Sequence, residues 1–434
     1  MNKAIINVRI YDFNQYIDNG YIVFDQEISV VGDMKDFVNH DYKIIDGRGR
    51  LALPSLVCGH AHIYSMFARG LALEFNPHNF QEILDQLWWR IDHEIDNQTS
   101  FDSGIAAGIE FLKNGVTTVI DHHASGKDIR GSLNALKRAV CDRVGLRGIF
   151  AFEVSDRFDV TQAIAENRQF IKKYHQPYTS GLFGLHASMS LSEKTLKKVK
   201  SALGESPIHI HVAESISDQE DAETKYQETV IERLDRHGLL NPDSLLVHAI
   251  HVQEKELEII RNRDCYVALN FTSNMNNAVG LADIKALQKA GVKVILGNDG
   301  ISSGMASEYQ ALYYATHHRE QSPTALGLDD VKKMINETYA YTSRRLGVKL
   351  GAIAPSYQAD LLLLPYDPPT MMDHSNAFGH LFFGLFNAFK PQEVFIGGKL
   401  VIHNYELRNK KLLDEYSRIR ATANQLWENI KKRK

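Results

Sequence analysis

The chain has 434 residues, 44% apolar and 24% charged, which suits a barrel-sized domain plus a smaller one and excludes disorder. A formal net charge of −4 gives no electrostatic footprint for nucleic acid. No apolar run is long enough to span a bilayer. Cys58, Cys141 and Cys265 are too few for a disulfide framework and suit a reducing cytosol. The N-terminus MNKAIINVRIYDF alternates like a strand and lacks a signal peptide's apolar core, so a cytoplasmic location is expected.

In chain order, residues 1–52 read as short strands and turns: AIINVRIYD, YIVFDQEISVVGD, KIIDGRGR. A strand-helix alternation follows, with eight apolar strand-like runs: LALPSLVCGHAH, GVTTVIDHH, RGIFAFE, GLFGLHAS, PIHIHVAE, LLVHAIH, CYVALN and VKVILGND. Helices are predicted at 80–96, 102–114, 131–144, 192–203, 222–238, 282–290 and 305–319. This alternation predicts a parallel sheet, and eight strands allow closure. The α/β fold expected is a (β/α)8 TIM-like barrel over 53–351. A second strand-like block, 352–404, with a Gly397-Gly398 turn, predicts a small β-sandwich built with residues 1–52 from both chain ends. Residues 405–434 carry Leu412, Tyr416, Ile419, Leu426, Trp427 and Ile430 at helical spacing, and predict a C-terminal helix packed on the body.

Seven of the eight runs carry a histidine or an acid at or within two residues of their C-terminal end, and the other, CYVALN, ends in Asn270. In a barrel of this kind, active sites lie at the C-terminal strand ends. His60 and His62 are two apart, so on a strand they share a face. Imidazole is a good ligand for zinc and similar divalent metals, although an HxH alone is weak evidence. His209 and His211 alternate with Ile208, Ile210 and Val212; His211 is nearer the strand end, and His209 reads as a core histidine one layer deeper. Glu214 follows in the loop layer, where a general acid could reach a substrate. Asp299 closes a strongly apolar run and needs a metal or a histidine as partner; helix capping is its bland alternative. His248 is preferred over His251, and His186 occupies the equivalent place on the fourth run. Asp121, His122 and His123 cannot all point inward, and His123 is assigned to the substrate side. Trp88 and Trp89 lie on the helix after the first run; core packing is the commoner role there, and Trp89 is assigned to the substrate side. Glu153 reads either way.

The pieces PSLVCGHAH, GLHAS, HIHVAES, VHAIHV, SNMNNAVG and LGNDG, in this order, resemble the amidohydrolase superfamily. The branch is similar to adenosine, guanine and chlorotriazine aminohydrolases (ATZ/TRZ-like). LWWRID, IDHHAS, GSLNAL, EVSDR and NAFGHLFFG bring the chain nearest to SsnA-type aminohydrolases. The resemblance implies one divalent metal on His60, His62, His211 and Asp299, with zinc favoured and iron or manganese as alternatives. It implies Glu214 as proton shuttle, His248 with Asp299 as the groups that polarise a water, and His186 against substrate. Binuclear relatives use a lysine or acid at the end of strand four, where this chain has His186. The activity implied is hydrolytic deamination of a nitrogen heterocycle such as a purine, pyrimidine, pterin or triazine. Opening of a cyclic amide, dechlorination, or a metal-binding protein without catalysis are the alternatives. The implied partner is a small molecule, with neither nucleic acid nor membrane, and fold analogy is compatible with a homodimer. The chain departs from the family at Ser55, Leu269, Phe271, Asn298 and Ser356; Leu269 and Phe271 are expected to reshape the pocket floor.

Overall fold

A computed structural model describes residues 2–175 and 177–432. Eight parallel strands form the barrel: β1 (Leu56–Ala61), β2 (Val116–His123), β3 (Arg147–Phe152), β4 (Phe183–Ala187), β5 (Ile208–Val212), β6 (Leu245–His248), β7 (Tyr266–Leu269) and β8 (Lys293–Leu296). Each of the eight apolar runs supplies one barrel strand, and the first also contains Leu51–Pro54, a strand of the second sheet. Pairing is continuous from β1 to β3 and from β4 to β8. The two arcs join where Val154 bridges Leu185 and where Ala61 bridges Asp299. At the second seam the Asp299 amide donates to the His60 carbonyl at 3.1 Å, and the His62 amide to the Asp299 carbonyl at 3.2 Å. Gly297 makes this approach feasible: a Cβ there would sit 2.6 Å from the His60 nitrogen.

The connecting helices follow local signals. Asp96 caps Asn97–Lys113 by accepting from the Thr99 amide. The helix predicted over 222–238 is instead two, Ile216–Tyr226 and Val230–Arg236. Gln227 takes a left-handed φ of 58°, ending the first, and Thr229 with Glu232 forms a capping box that starts the second. Among the described residues, no helix is long and apolar enough to cross a membrane.

Both chain ends build one further sheet. Lys3–Tyr11, Tyr16–Phe24, Ile28–Asp33, Lys43–Asp46 and Leu51–Pro54 pair with Leu361–Leu364, Glu393–Ile396, Lys399–His403 and Glu406–Leu407. The seam is the antiparallel register of Leu51–Pro54 with Leu361–Leu364. Three strands separate Tyr16–Phe24 from Glu393–Ile396 in the pairing order. Yet the Phe24 and Phe395 rings meet edge-on at 5.7 Å, so the sheet folds over onto itself around its own apolar cluster. Helix Tyr416–Lys432 packs on the barrel side through Ile419, Leu426 and Ile430. Trp427 Nε1 donates to the Phe67 carbonyl at 2.6 Å and Thr422 to Asp102 at 2.7 Å. The basic end of this segment, Arg433 and Lys434, lies outside the described residues.

A buried ion pair ties the two parts together. Arg147 on β3 is fully buried, and its guanidinium donates to both Asp360 oxygens at 2.9 and 3.1 Å and to Gln358 at 2.8 Å. Asp360→Ala would strand that charge, and a loss of about 3–5 kcal/mol in urea unfolding is expected. A paired Arg147→Met, Asp360→Leu change should recover most of it, because no charge is then left buried.

Candidate active site

The C-terminal strand ends converge on a cluster of imidazoles and carboxylates. His60 and His62 point to one side of β1, as their spacing requires. His211 stands on β5, His248 ends β6, and Asp299 follows β8. His62 Nε2 lies 3.1 Å from His211 Nε2 and 3.1 Å from Asp299 Oδ1. His60 Nε2 is 3.6 Å from the same oxygen. One nitrogen from each of His60, His62 and His211 lies within 4.8 Å of the others, and so do the ligand atoms of Glu214, His248 and Asp299.

Each of the three histidines is held by its other ring nitrogen. His62 Nδ1 donates to the His122 carbonyl at 2.7 Å, and His211 Nδ1 to the His186 carbonyl at 3.0 Å. His60 Nδ1 is 2.9 Å from His209 Nε2, which gives His209 its role one layer down. With Nδ1 of His62 and His211 spent on carbonyls, their Nε2 atoms face each other at 3.1 Å, a repulsive arrangement unless a proton or a metal cation lies between them. His60 Nε2 is buried with no hydrogen-bond partner. Three imidazole nitrogens and one carboxylate oxygen fit a divalent metal, and the donor set suits zinc.

The strand ends themselves are bent. Ala213, His248, Ala249 and Asp299 all have positive φ, between 46° and 73°. Non-glycine residues in that region carry on the order of 1–3 kcal/mol of strain each, which clusters at functional sites. Here it turns Glu214, His248 and Asp299 into one opening.

Residues 51–401 match the amidohydrolase family. The chain belongs to that family. It is 26% identical over 412 residues to a 5-methylthioadenosine/S-adenosylhomocysteine deaminase of Thermococcus sibiricus, covering 89% of this chain and 93% of that one. Its fold matches that of a zinc-bound adenosine deaminase from Xanthomonas campestris (TM-score 0.82, 21% identity, 99% and 98% of the two chains). It also matches the atrazine chlorohydrolase TrzN of Arthrobacter aurescens complexed with zinc (TM-score 0.78, 20% identity, 98% and 99%).

In this amidohydrolase the short helix Phe271–Asn276 and the residue after it support the site. Ser273 Oγ donates to Asp299 Oδ2 at 2.5 Å. Asn274 Nδ2 donates to His248 Nδ1 at 2.8 Å, which leaves the hydrogen on Nε2, directed toward Glu214 and Asp299. Asn277 Nδ2 donates to Glu214 Oε1 at 3.4 Å. SNMNN marked the segment without indicating these bonds. Leu269 and Phe271 are buried and absent from the cavity wall, so the expectation that they reshape its floor is not met.

Burial, then the charge of Asp299, pushes the Glu214 carboxyl well above its usual range. Burial also acts upward on Asp299, but the imidazoles facing it, those of His60 and His62 foremost, outweigh it and hold Asp299 well below its usual value. Burial lowers His248 to about 3. The two carboxyls are thus pushed in opposite directions, Glu214 up and Asp299 down, the separation that distinguishes an acid from a base.

The cavity over this cluster is lined by His62, His186, His211, Glu214, His248 and Asp299, with Tyr64, Phe80, Leu84 and Trp88 on one wall. Two assignments need correction. Trp88 lines the cavity, and Trp89 lies behind it under the Arg157 guanidinium, 4.9 Å from its ring centre. His123 is turned away toward the helix layer, 3.1 Å from Ser100 Oγ, because strand alternation gives the interior position to His122. His186 does face the cavity, with Nδ1 2.7 Å from Ser190 Oγ. His251 is bound to the Val279 carbonyl at 2.8 Å. Glu153 is buried beside Arg157 and 3.8 Å from His122.

Glu308 anchors the supporting helix by accepting from the Thr272 amide at 3.0 Å. Burial raises its carboxyl to about 7. Its folded value therefore exceeds the unfolded one, so ionisation opposes folding and stability falls as pH rises from about 4.5 through 7. Glu308→Gln should remove this contribution, on the order of 3 kcal/mol, seen as a flatter dependence of Tm on pH.

Proposed function

We propose that this amidohydrolase hydrolytically removes an amino group from a nitrogen heterocycle, with one divalent metal held by His60, His62, His211 and Asp299. It is an enzyme of C–N bond hydrolysis. The observation that carries the proposal is the convergence of His60, His62 and His211 on the Asp299 carboxylate, with Glu214 and His248 beside it. A bound divalent ion supplies a water acidic enough to act as nucleophile at neutral pH.

The chain's own groups do the rest. Asp299 is the ionised group that receives a proton, oriented by Ser273. His248 directs Nε2–H at the oxygen that develops on the reacting carbon. Glu214 delivers its proton to the adjacent ring nitrogen and, with Asn277 fixing its other oxygen, assists departure of ammonia. His186 contacts the ring. The nucleoside deaminase relative and the zinc-bound adenosine deaminase agree with this class of chemistry.

The test is elemental analysis of protein purified without chelators, beside an ammonia-release screen of purines, pyrimidines, pterins and triazines. About one metal per chain with ammonia from a heterocycle is the expected result. Metal without ammonia from any of them would reject deamination, and chloride release from a chlorotriazine would identify the other leaving group.

A further inference from the structure

We infer that Asp218, a buried carboxylate to which the proposed reaction gives no task, is a positioning residue: it holds Glu214 in place and ties it to the turn after β4. The inference rests on the reading of Glu214 as the proton donor and deepens it.

The chain bends sharply where Glu214 leaves β5. Ala213, just before it, has a φ of 46°. A non-glycine residue keeps such a conformation only where its surroundings enforce it. Asp218 does so. Its Oδ2 accepts from the Ala213 amide at 3.0 Å, and its own amide donates to the Ser215 carbonyl at 3.1 Å. One residue thus closes the chain on both sides of Glu214. Ser215 caps helix Ile216–Tyr226, so Asp218 lies in its first turn and the helix fixes where the carboxylate stands.

The other oxygen reaches across to the neighbouring strand. Asp218 Oδ1 accepts from the Met189 amide at 3.0 Å. Met189 belongs to the turn Ser188–Ser190 after β4, where Ser190 Oγ lies 2.7 Å from His186 Nδ1. That turn is a fixed post. Arg233, fully buried on helix Val230–Arg236, donates to the Ser188 carbonyl at 2.9 Å and to the Leu191 carbonyl at 2.6 Å. Asp218 passes the rigidity of the turn on to Glu214. One carboxylate therefore sets the spacing between the acid and the side of the cavity formed by His186 and Met189.

Glu214 itself is held lightly. Asn277 donates to it at 3.4 Å, and His248 Nε2 lies 3.5 Å away. A side chain gripped so loosely takes its place from its backbone, and that backbone is what Asp218 fixes. Asp218 is 3% exposed and borders the cavity, but both of its oxygens are engaged by main-chain amides. An asparagine would keep the volume and turn an NH2 group toward one of those amides, so one bond is lost whichever way the group is flipped.

The test is Asp218→Asn, made in the parent and in Glu214→Gln, each as the full chain loaded with zinc. Ammonia release, metal content and a crystal structure are recorded for each. In the parent background kcat should fall by about 10–10²-fold, with metal unchanged and KM within about 3-fold. In the Glu214→Gln background the same change should cost less than about 2-fold, because the group it positions no longer donates. The Glu214 carboxyl should be displaced by about 1 Å while His60, His62, His211 and Asp299 stay in place. An equal loss in both backgrounds, a change in KM in place of kcat, or a loss of metal would overturn the inference. If Glu214→Gln alone keeps full activity, or no heterocycle releases ammonia, the reading of Glu214 as the acid fails and the crystal structure decides the positioning. A displaced Glu214 then supports it, and a Glu214 in its parental place overturns it. Should Asp218→Asn not fold, Asp218→Glu, which keeps the charge and moves it by one methylene, is read in the same way.

Discussion

Glu214→Gln is expected to keep the metal content of the parent protein and to lose about 10²–10⁴-fold in kcat. The amide keeps the shape of the side chain and its contact with Asn277. It has no proton to give to a ring nitrogen. Glu214 stands in the loop after β5, beyond the three Nε2 atoms, and its elevated carboxyl pKa arises from burial and the Asp299 charge. Elemental analysis and steady-state kinetics on the same preparation separate the two effects. Full activity in the variant would remove Glu214 from the chemistry; loss of metal would make it a ligand instead.

Asp299→Asn should lower both turnover and metal occupancy, with kcat falling by more than about 10³-fold. The change preserves volume and the oxygen that can accept from Ser273, but deletes the charge facing His60 and His62. Two functions vanish together, proton acceptance and anionic ligation. Glu214 should respond as well: without its charged neighbour its pKa drops toward the ordinary carboxyl range, and any residual activity should decline at lower pH than in the parent. A variant that retained stoichiometric metal and parental kcat would contradict the assignment.

The barrel and the inner ring of the site were legible because both rest on a period of two. A strand forces His60 and His62 onto one face, and the apolar runs that end in polar residues mark strand ends. The same alternation explains the error at His123. Of two adjacent histidines one must face inward, and either phase satisfies the pattern; the packing of His122 against His209 and His211 selects it. Trp88 and Trp89 failed for a different reason. The segment Leu84–Trp88 is a π-helical turn, with the Trp89 amide bonded to the Leu84 carbonyl five residues back. A π turn stacks side chains four apart more nearly in line than a 3.6-residue period does, which keeps Trp88 on the cavity face with Leu84 and turns Trp89 away from it. The roles of Ser273, Asn274 and Asn277 were hidden because they depend on where a six-residue helix sits over two other strands. The fold-over of the terminal sheet likewise depends on contacts such as Phe24 with Phe395, far apart in the chain.

That sheet also sets a schedule for synthesis. Its strand Leu51–Pro54 is made early, and the partner Leu361–Leu364 emerges only after the whole barrel. At roughly 5–20 residues per second, the interval of about 300 residues lasts on the order of 15–60 s. Throughout it, a fully apolar edge, Leu51-Ala52-Leu53, waits on the nascent chain for its partner, as open edges that invite foreign strands do. Slow translation or truncation ahead of Leu361 should therefore send this protein to chaperones or into aggregates while its barrel is already complete.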